Sequence, residues 1–173
     1  MSVVVRLARF EDADAIAAVH VASWEDAYRE ILPPEYFEKR TIDVRKTQWR
    51  SSLRQENRVT LVACNERGEV VGFASALRLD GSDGGFESYL QTLYLVQSAK
   101  GRGTGRLLLR AMAAQLSSLG RRNMALRVLR LNRARSFYEK LGARLVPEGI
   151  AHDAGMFDDV VYAFDDLRAL SGD

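Results

Sequence analysis

The 173-residue chain is 47% hydrophobic and 28% charged, with a net charge of +2, which suits one compact domain with a sizeable core. No stretch approaches the roughly 20 apolar residues that cross a bilayer, and Met1 to Arg9 lacks the basic-then-apolar layout of a secretory signal; a soluble, cytoplasmic protein is expected. The single cysteine, Cys64, excludes an internal disulfide, and with only His20 and His152 beside it no metal is expected.

Val3 to Arg9 alternates as a first strand. Glu11 and Asp12 then suit the positive end of a helix dipole, and Ile16, Val19, His20, Ser23, Trp24 and Ala27 recur at helical spacing. Pro33 and Pro34 stop that helix, and a weakly amphipathic helical region follows from Glu35 to about Arg54, with a break near Thr41 to Asp43. Val59 to Cys64 and Val70 to Leu79 read as strands joined by Asn65-Glu66-Arg67-Gly68, a hairpin connection. The polar, glycine-rich segment Asp80 to Gly85 is a loop, and Phe86 to Val96 returns as a strand. A helix runs from Gly103 to about Leu119, with Leu108, Met112, Leu116 and Leu119 on one face and Gly120 as its stop. Met124 to Leu129 is a strand, Asn132 caps a helix from Arg133 to Leu141, and strands near Ala143 to Val146 and Phe157 to Phe164 finish the domain. The order βααβββαβαββ, with three consecutive strands between helices, predicts a single α+β domain over residues 1–173: a mixed, mostly antiparallel sheet flanked by helices.

Between Ser88 and Tyr138 there is no Asp or Glu, whereas ten Lys and Arg residues fall there. Such segregation predicts an anionic partner, or arginines that solvate helix faces and are balanced in space by acids from elsewhere. The glycines decide where an anion would sit. Lys100, Gly101, Arg102, Gly103, Thr104, Gly105 and Arg106 lie between a strand and a helix, where free backbone N–H groups turn onto a phosphate. A Walker loop requires Lys then Ser or Thr after its last glycine, and this chain has Arg106 and Leu107. A dinucleotide loop requires a third glycine where Leu108 stands and an acid about 20 residues on, and none occurs before Glu139. A plain strand-to-helix turn would need fewer glycines than three in five residues.

The loop instead resembles the coenzyme A signature of the GNAT acetyltransferase family, Gln/Arg-x-x-Gly-x-Gly/Ala, with Lys100 in the first position. The resemblance extends to QTLYLVQSAKGRGTGRLLL and NRARSFYEKLGAR, covering about Val59 to Val146, and VHVASWEDAYREILPPEY resembles a subgroup of the family. It implies a GNAT fold and acetyl-CoA as acetyl donor, with the main chain of Leu93, Tyr94 and Leu95 along the pantetheine arm. Gly101 to Arg106 would hold the diphosphate, Asn132 would hydrogen-bond the coenzyme, and Arg135 would approach its phosphates. The acceptor would be a primary amine of a small molecule or peptide. A homodimer is compatible with the family. No nucleic-acid reader motif occurs, and neither nucleic acid nor a membrane is an expected partner.

Acetyl transfer to an amine needs a free amine, a polarised carbonyl and a proton for the leaving thiolate. By the same resemblance Tyr138 would protonate the sulfur, which suits a phenol of pKa about 10 beside a thiol of about 8.5. The family's usual glutamate position carries Tyr89 here, and Glu87, two residues earlier on the same strand face, becomes the candidate base. His20 reads as a core histidine, Trp24 and Tyr28 as core or acceptor-pocket aromatics, Cys64 as a buried thiol, and His152 as a loop residue. The departure at Tyr89 motivates the alternative of a non-catalytic acetyl-CoA-binding sensor.

Overall fold

Apolar runs on both sides of a tight turn build the centre of the sheet. In the computed structural model, which describes residues 2–30, 32–81, 84–147 and 158–172, β2 (Arg58–Cys64) pairs antiparallel with β3 (Val70–Arg78). Asn65 Oδ1 closes the turn between them by accepting from the amides of Arg67 and Glu69, both at 3.0 Å. Five further strands complete the sheet: β1 (Val4–Leu7), β4 (Ser88–Leu95), β5 (Met124–Leu129), β6 (Arg144–Val146) and β7 (Asp159–Phe164). Their spatial order is β1-β2-β3-β4-β5-β7-β6, and every neighbouring pair is antiparallel except β4 and β5. The expected α+β architecture is therefore the observed one. Phe157, the expected first residue of the last strand, lies outside the described residues.

Among the described residues there are six α-helices: α1 (Ala13–Tyr28), α2 (Glu35–Glu38), α3 (Ile42–Ser52), α4 (Thr104–Ser118), α5 (Arg135–Lys140) and α6 (Leu167–Ser171). One face of the sheet carries α1 and α3, whose Ile16, Ala17, Val19 and Trp49 bury against Val62, Cys64 and Phe73. The opposite face carries α4 and α6, whose Leu108, Met112, Leu116, Leu167 and Leu170 pack on Leu61, Ala74, Leu126 and Tyr162. The break expected near Thr41 is real: Thr41 is the N-cap of α3, and its Oγ1 accepts from the Val44 amide at 3.4 Å. Only α6 falls outside the expected order. It is too short to show a period, although Asp166 caps it through the Arg168 amide at 2.9 Å.

The strand that carries the site is held by an unusually close approach. Gly72 of β3 lies opposite Leu95 of β4, and a Cβ added at Gly72 would stand 2.3 Å from Leu95 Cδ2 and 3.0 Å from the Tyr94 carbonyl oxygen. Gly72→Ala should therefore cost about 1–3 kcal/mol by overpacking. Leu95→Ala added to it should cost less than the sum of the two single changes, as urea unfolding of the four proteins in the cycle would measure.

Candidate active site

The parallel pairing of β4 with β5 ends almost as soon as it begins. Only Tyr89 with Ala125 and Leu90 with Leu126 are in register. The next residue, Gln91, is extra on β4 relative to β3, because Ser75 faces Thr92 whereas Ala76 faces Leu90. Such a bulge bends a strand, and beyond it β4 follows β3 while β5 follows β7. The opening is a groove of about 1100 Å³ whose walls include Leu90 to Leu95 on one side and Leu126 to Val128 on the other.

Backbone alternation decides what β4 offers to this groove. The Val96 amide donates to the Val71 carbonyl at 2.9 Å, and with Gly72 opposite Leu95 the next inward-bonded residues along β4 are Tyr94 and Thr92. Leu93 and Leu95 therefore turn their amides and carbonyls away from β3, to the open side. Ser23 Oγ of α1 donates to the Leu95 carbonyl at 2.8 Å from that side. The expectation that Tyr94 offers its main chain is corrected: its polar backbone atoms belong to the ladder with Phe73. Its ring stacks on His20, 5.1 Å between centroids, and its hydroxyl lies 3.4 Å from that of Tyr28.

The groove ends at the N-terminus of α4. Gly103 is the N-cap with φ 84°, a left-handed conformation that L side chains rarely adopt. The first helical bond runs from Leu107 N to the Gly103 carbonyl, so the amides of Thr104, Gly105 and Arg106 have no acceptor within the helix. Lys100, Gly101, Gly103, Gly105 and Arg106 line the groove, whereas the side chains of Arg102 and Thr104 do not. The Lys100 ammonium pairs with Asp26 of α1, tying that helix to the loop.

On the opposite wall Asn132 and Tyr138 line the groove. Asn132 Oδ1 accepts from the Ala134 amide at 2.8 Å and so caps the turn into α5, leaving its NH₂ group for a ligand. Tyr138 is 8% exposed, and burial pushes its hydroxyl above the ordinary phenol value, with Tyr28 a further cause. Arg135 does not reach the groove: its Nε donates to Tyr162 Oη and its Nη1 to the Arg130 carbonyl, both at 3.0 Å. Its expected approach to phosphates is corrected on that ground.

Glu87 also stands apart. It precedes β4 and is absent from the groove wall. Its carboxylate accepts from the Arg122 amide at 2.7 Å and from the Arg122 guanidinium at 2.8 and 2.5 Å. The hydrogen bond from the Arg122 side chain is the first cause of a carboxyl held below its usual range, the opposite of what a general base needs. Strand alternation does not carry it to the groove because the ion pair draws it to the start of β5.

Tyr28, read as a core or acceptor-pocket aromatic, does line the groove, and so do Arg127 and Arg133 of the basic segment. Asp26 and Glu30 near the end of α1 and Lys140 of α5 also line it and carried no signal in the sequence. Thr92 lines it too, and its buried Oγ1 has no hydrogen-bond partner among the described residues. An orphaned acceptor and donor here, free amides along β4 and a cationic helix N-terminus fit a long, amide-bearing diphosphate ligand. Trp24 is absent from the groove wall and packs, tilted, on Phe37, with the Arg40 guanidinium 4.5 Å from its ring centroid. Among the described residues no cluster of His, Cys, Asp or Glu could hold a metal ion, and no helix is long and apolar enough to cross a membrane. His152 lies outside the described residues.

A sheet that parts beside a glycine-started helix leaves a groove whose shape and amides suit an extended phosphorylated ligand. Comparisons give the class a name: the acetyltransferase (GNAT) family profile matches residues 21–143, and the chain belongs to that family. It is 32% identical over 169 residues to the uncharacterised N-acetyltransferase YuaI of Bacillus subtilis (strain 168), covering 97% of this chain and 96% of that one. The PaiA N-acetyltransferase of Thermoplasma acidophilum, solved in complex with coenzyme A, superimposes with a TM-score of 0.76 at 22% identity, over 95% of this chain and 99% of that one. An acetyltransferase of Thermus thermophilus gives 0.70 at 22% identity, over 95% and 97%.

Behind the groove, His20 is buried among Trp49, Phe73 and Tyr94, and its Nδ1 accepts from Trp49 Nε1 at 3.0 Å. Burial, then the charges of Arg45 and Arg40, lower its pKa to about 3. The unfolded chain therefore binds a proton below about pH 6.5 that the folded chain refuses. The contribution of this residue is fully present above that value and is lost as pH falls towards 3, at up to about 1.4 kcal/mol per unit. Denaturant unfolding at pH 7, 6 and 5 should show a steeper loss of stability in the native protein than in His20→Phe.

Proposed function

We propose that the protein is an acetyl-CoA-dependent N-acetyltransferase that moves an acetyl group to a primary amine of a small molecule or peptide by direct attack. The observation that carries this reading is the parting of β4 from β5 at Gln91, in the same groove that the N-terminus of α4 lines. Bound acetyl-CoA supplies a thioester carbonyl for the amine to attack. The chain's own groups then have separable tasks. Amides of Thr104, Gly105 and Arg106, with the Arg106 and Lys100 side chains, hold the diphosphate at the positive end of the α4 dipole. The outward backbone of Leu93 and Leu95 pairs with the pantetheine amides as an added strand, and the Asn132 NH₂ group donates to the same arm.

Amides at the bulge stabilise the charge that develops on the carbonyl oxygen as the C–N bond forms. Tyr138, kept protonated by burial, gives its proton to sulfur as the C–S bond breaks, and its phenolate takes one back from water in the groove. An alkylamine of pKa about 10.4 costs roughly 4–5 kcal/mol to deprotonate at pH 7. With Glu87 bound to Arg122, that proton leaves to water in the groove, so kcat/KM should rise with pH well past 7. Glu87→Gln should change kcat/KM by less than about threefold, because Arg122 retains a neutral partner.

Two variants test the reading directly. Arg106→Glu adds an acid to the first turn of α4, which suits the helix dipole but repels phosphates. Calorimetry should show at least about tenfold weaker binding of coenzyme A with an unchanged apo melting temperature. Tyr138→Phe should lower kcat about 100-fold or more while the affinity for acetyl-CoA is kept. Binding without turnover in the native protein, over a broad panel of amines, would instead identify a coenzyme sensor.

A further inference from the structure

Arg58 is a half-buried guanidinium without a carboxylate partner among the described residues; burial alone holds its pKa below the usual arginine value. Its partners are neutral side chains on three segments. Nε donates to Gln55 Oε1 at 2.8 Å, and Nη1 donates both to Ser75 Oγ at 2.9 Å and to Gln91 Oε1 at 2.7 Å. Ser75, fully buried, shares a second bond of 2.9 Å with Thr60 Oγ1. The guanidinium therefore reaches from β2 across β3 to the bulged residue of β4.

Withdrawing half of a cation from water with only neutral partners carries a cost, and sheet cohesion alone does not require it, since β2, β3 and β4 already pair on both sides of the bulge. The location is specific. Gln91 is the extra residue of β4, the first one beyond the pairing with β5, and part of the groove wall. A bulge has no ladder partner of its own to fix its peptide planes, and those planes set the direction of the Gln91 amide and of the outward-facing Leu93 amide beyond it.

We infer that Arg58 is a positioning residue for acetyl transfer: through Gln91 it sets the bulge of β4, and thereby aims the backbone amides that polarise the thioester carbonyl. The assignment rests on the acetyltransferase reading. A misplacement of about 1 Å at reacting atoms costs on the order of 100-fold in rate, whereas diphosphate and pantetheine contacts farther along the groove are left untouched.

The test uses the full chain, acetyl-CoA labelled with ¹³C at the carbonyl, and the variants Arg58→Ala, Gln91→Ala and the double variant. Gln91 is exposed, so its variant keeps the test independent of any folding defect in Arg58→Ala. Two readouts are expected to move together while a third stays. The affinity for coenzyme A stays within about threefold of native, the carbonyl stretch of bound acetyl-CoA loses its shift to lower frequency, and kcat falls about 30- to 100-fold. The double variant falls no further than either single one, because both act through one contact. A carbonyl shift that survives in both single variants, losses that add in the double variant, or a loss confined to coenzyme A affinity would each overturn the assignment while leaving the acetyltransferase reading in place. A native protein that binds acetyl-CoA without perturbing its carbonyl would overturn that reading, and this assignment with it.

Discussion

The two-residue contact between β4 and β5 is the constraint on which the rest of the molecule depends. Parallel strands cannot be joined by a tight turn and need a crossover of a dozen or more residues, and here that crossover is the loop 96–103 followed by α4. The same crossover that makes the two strands parallel brings a helix N-terminus to the groove that opens where they separate. Had the pairing continued, the outward amides of Leu93 and Leu95 would have been consumed in the sheet. Because it stops at Leu90, they remain available beside a phosphate-sized concentration of free N–H groups.

Charge is divided according to the same plan. Part of the arginine excess between Ser88 and Tyr138 is balanced by acids from other segments, as Arg122 with Glu87 and Arg130 with Asp158 show. Such exposed pairs contribute little to stability. Lys100 pairs with Asp26 and so belongs to both the loop and α1, while Arg106, Arg133 and Lys140 stay along the groove wall. The balanced reading of the basic segment therefore holds for Arg122 and Arg130, while Arg106 and Arg133 line the groove.

The aromatic residues join the core to the site. Trp49 holds His20, His20 stacks on Tyr94, and the Tyr94 hydroxyl meets Tyr28 in the groove. A neutral histidine is maintained there by desolvation and by two arginines. The site thus inherits its rigidity from the buried face of α1 and α3, the side opposite α4. The polar contacts of Arg58 do the corresponding work from the start of β2, where no aromatic residue is available.

What the sequence determined by itself was local. Apolar periodicity marked nearly every strand and helix, Thr41 caps α3 as its chemistry suggests whereas Asn132 acts two residues ahead of the Ala134 N-cap of α5, and the glycines of residues 101–105 marked a strand-to-helix junction with free amides. These properties depend on neighbours within a few positions. Tertiary structure alone decided which backbone groups stay unpaired, because that requires knowing where β4 leaves β5 and which way alternation turns Leu93, Tyr94 and Leu95. It also decided the fate of long charged side chains. Glu87 and Arg135 stand at plausible positions along the chain, yet Arg122 and Tyr162, 35 and 27 residues away, capture them, since a flexible side chain goes to the strongest partner within reach and that partner is set by the fold.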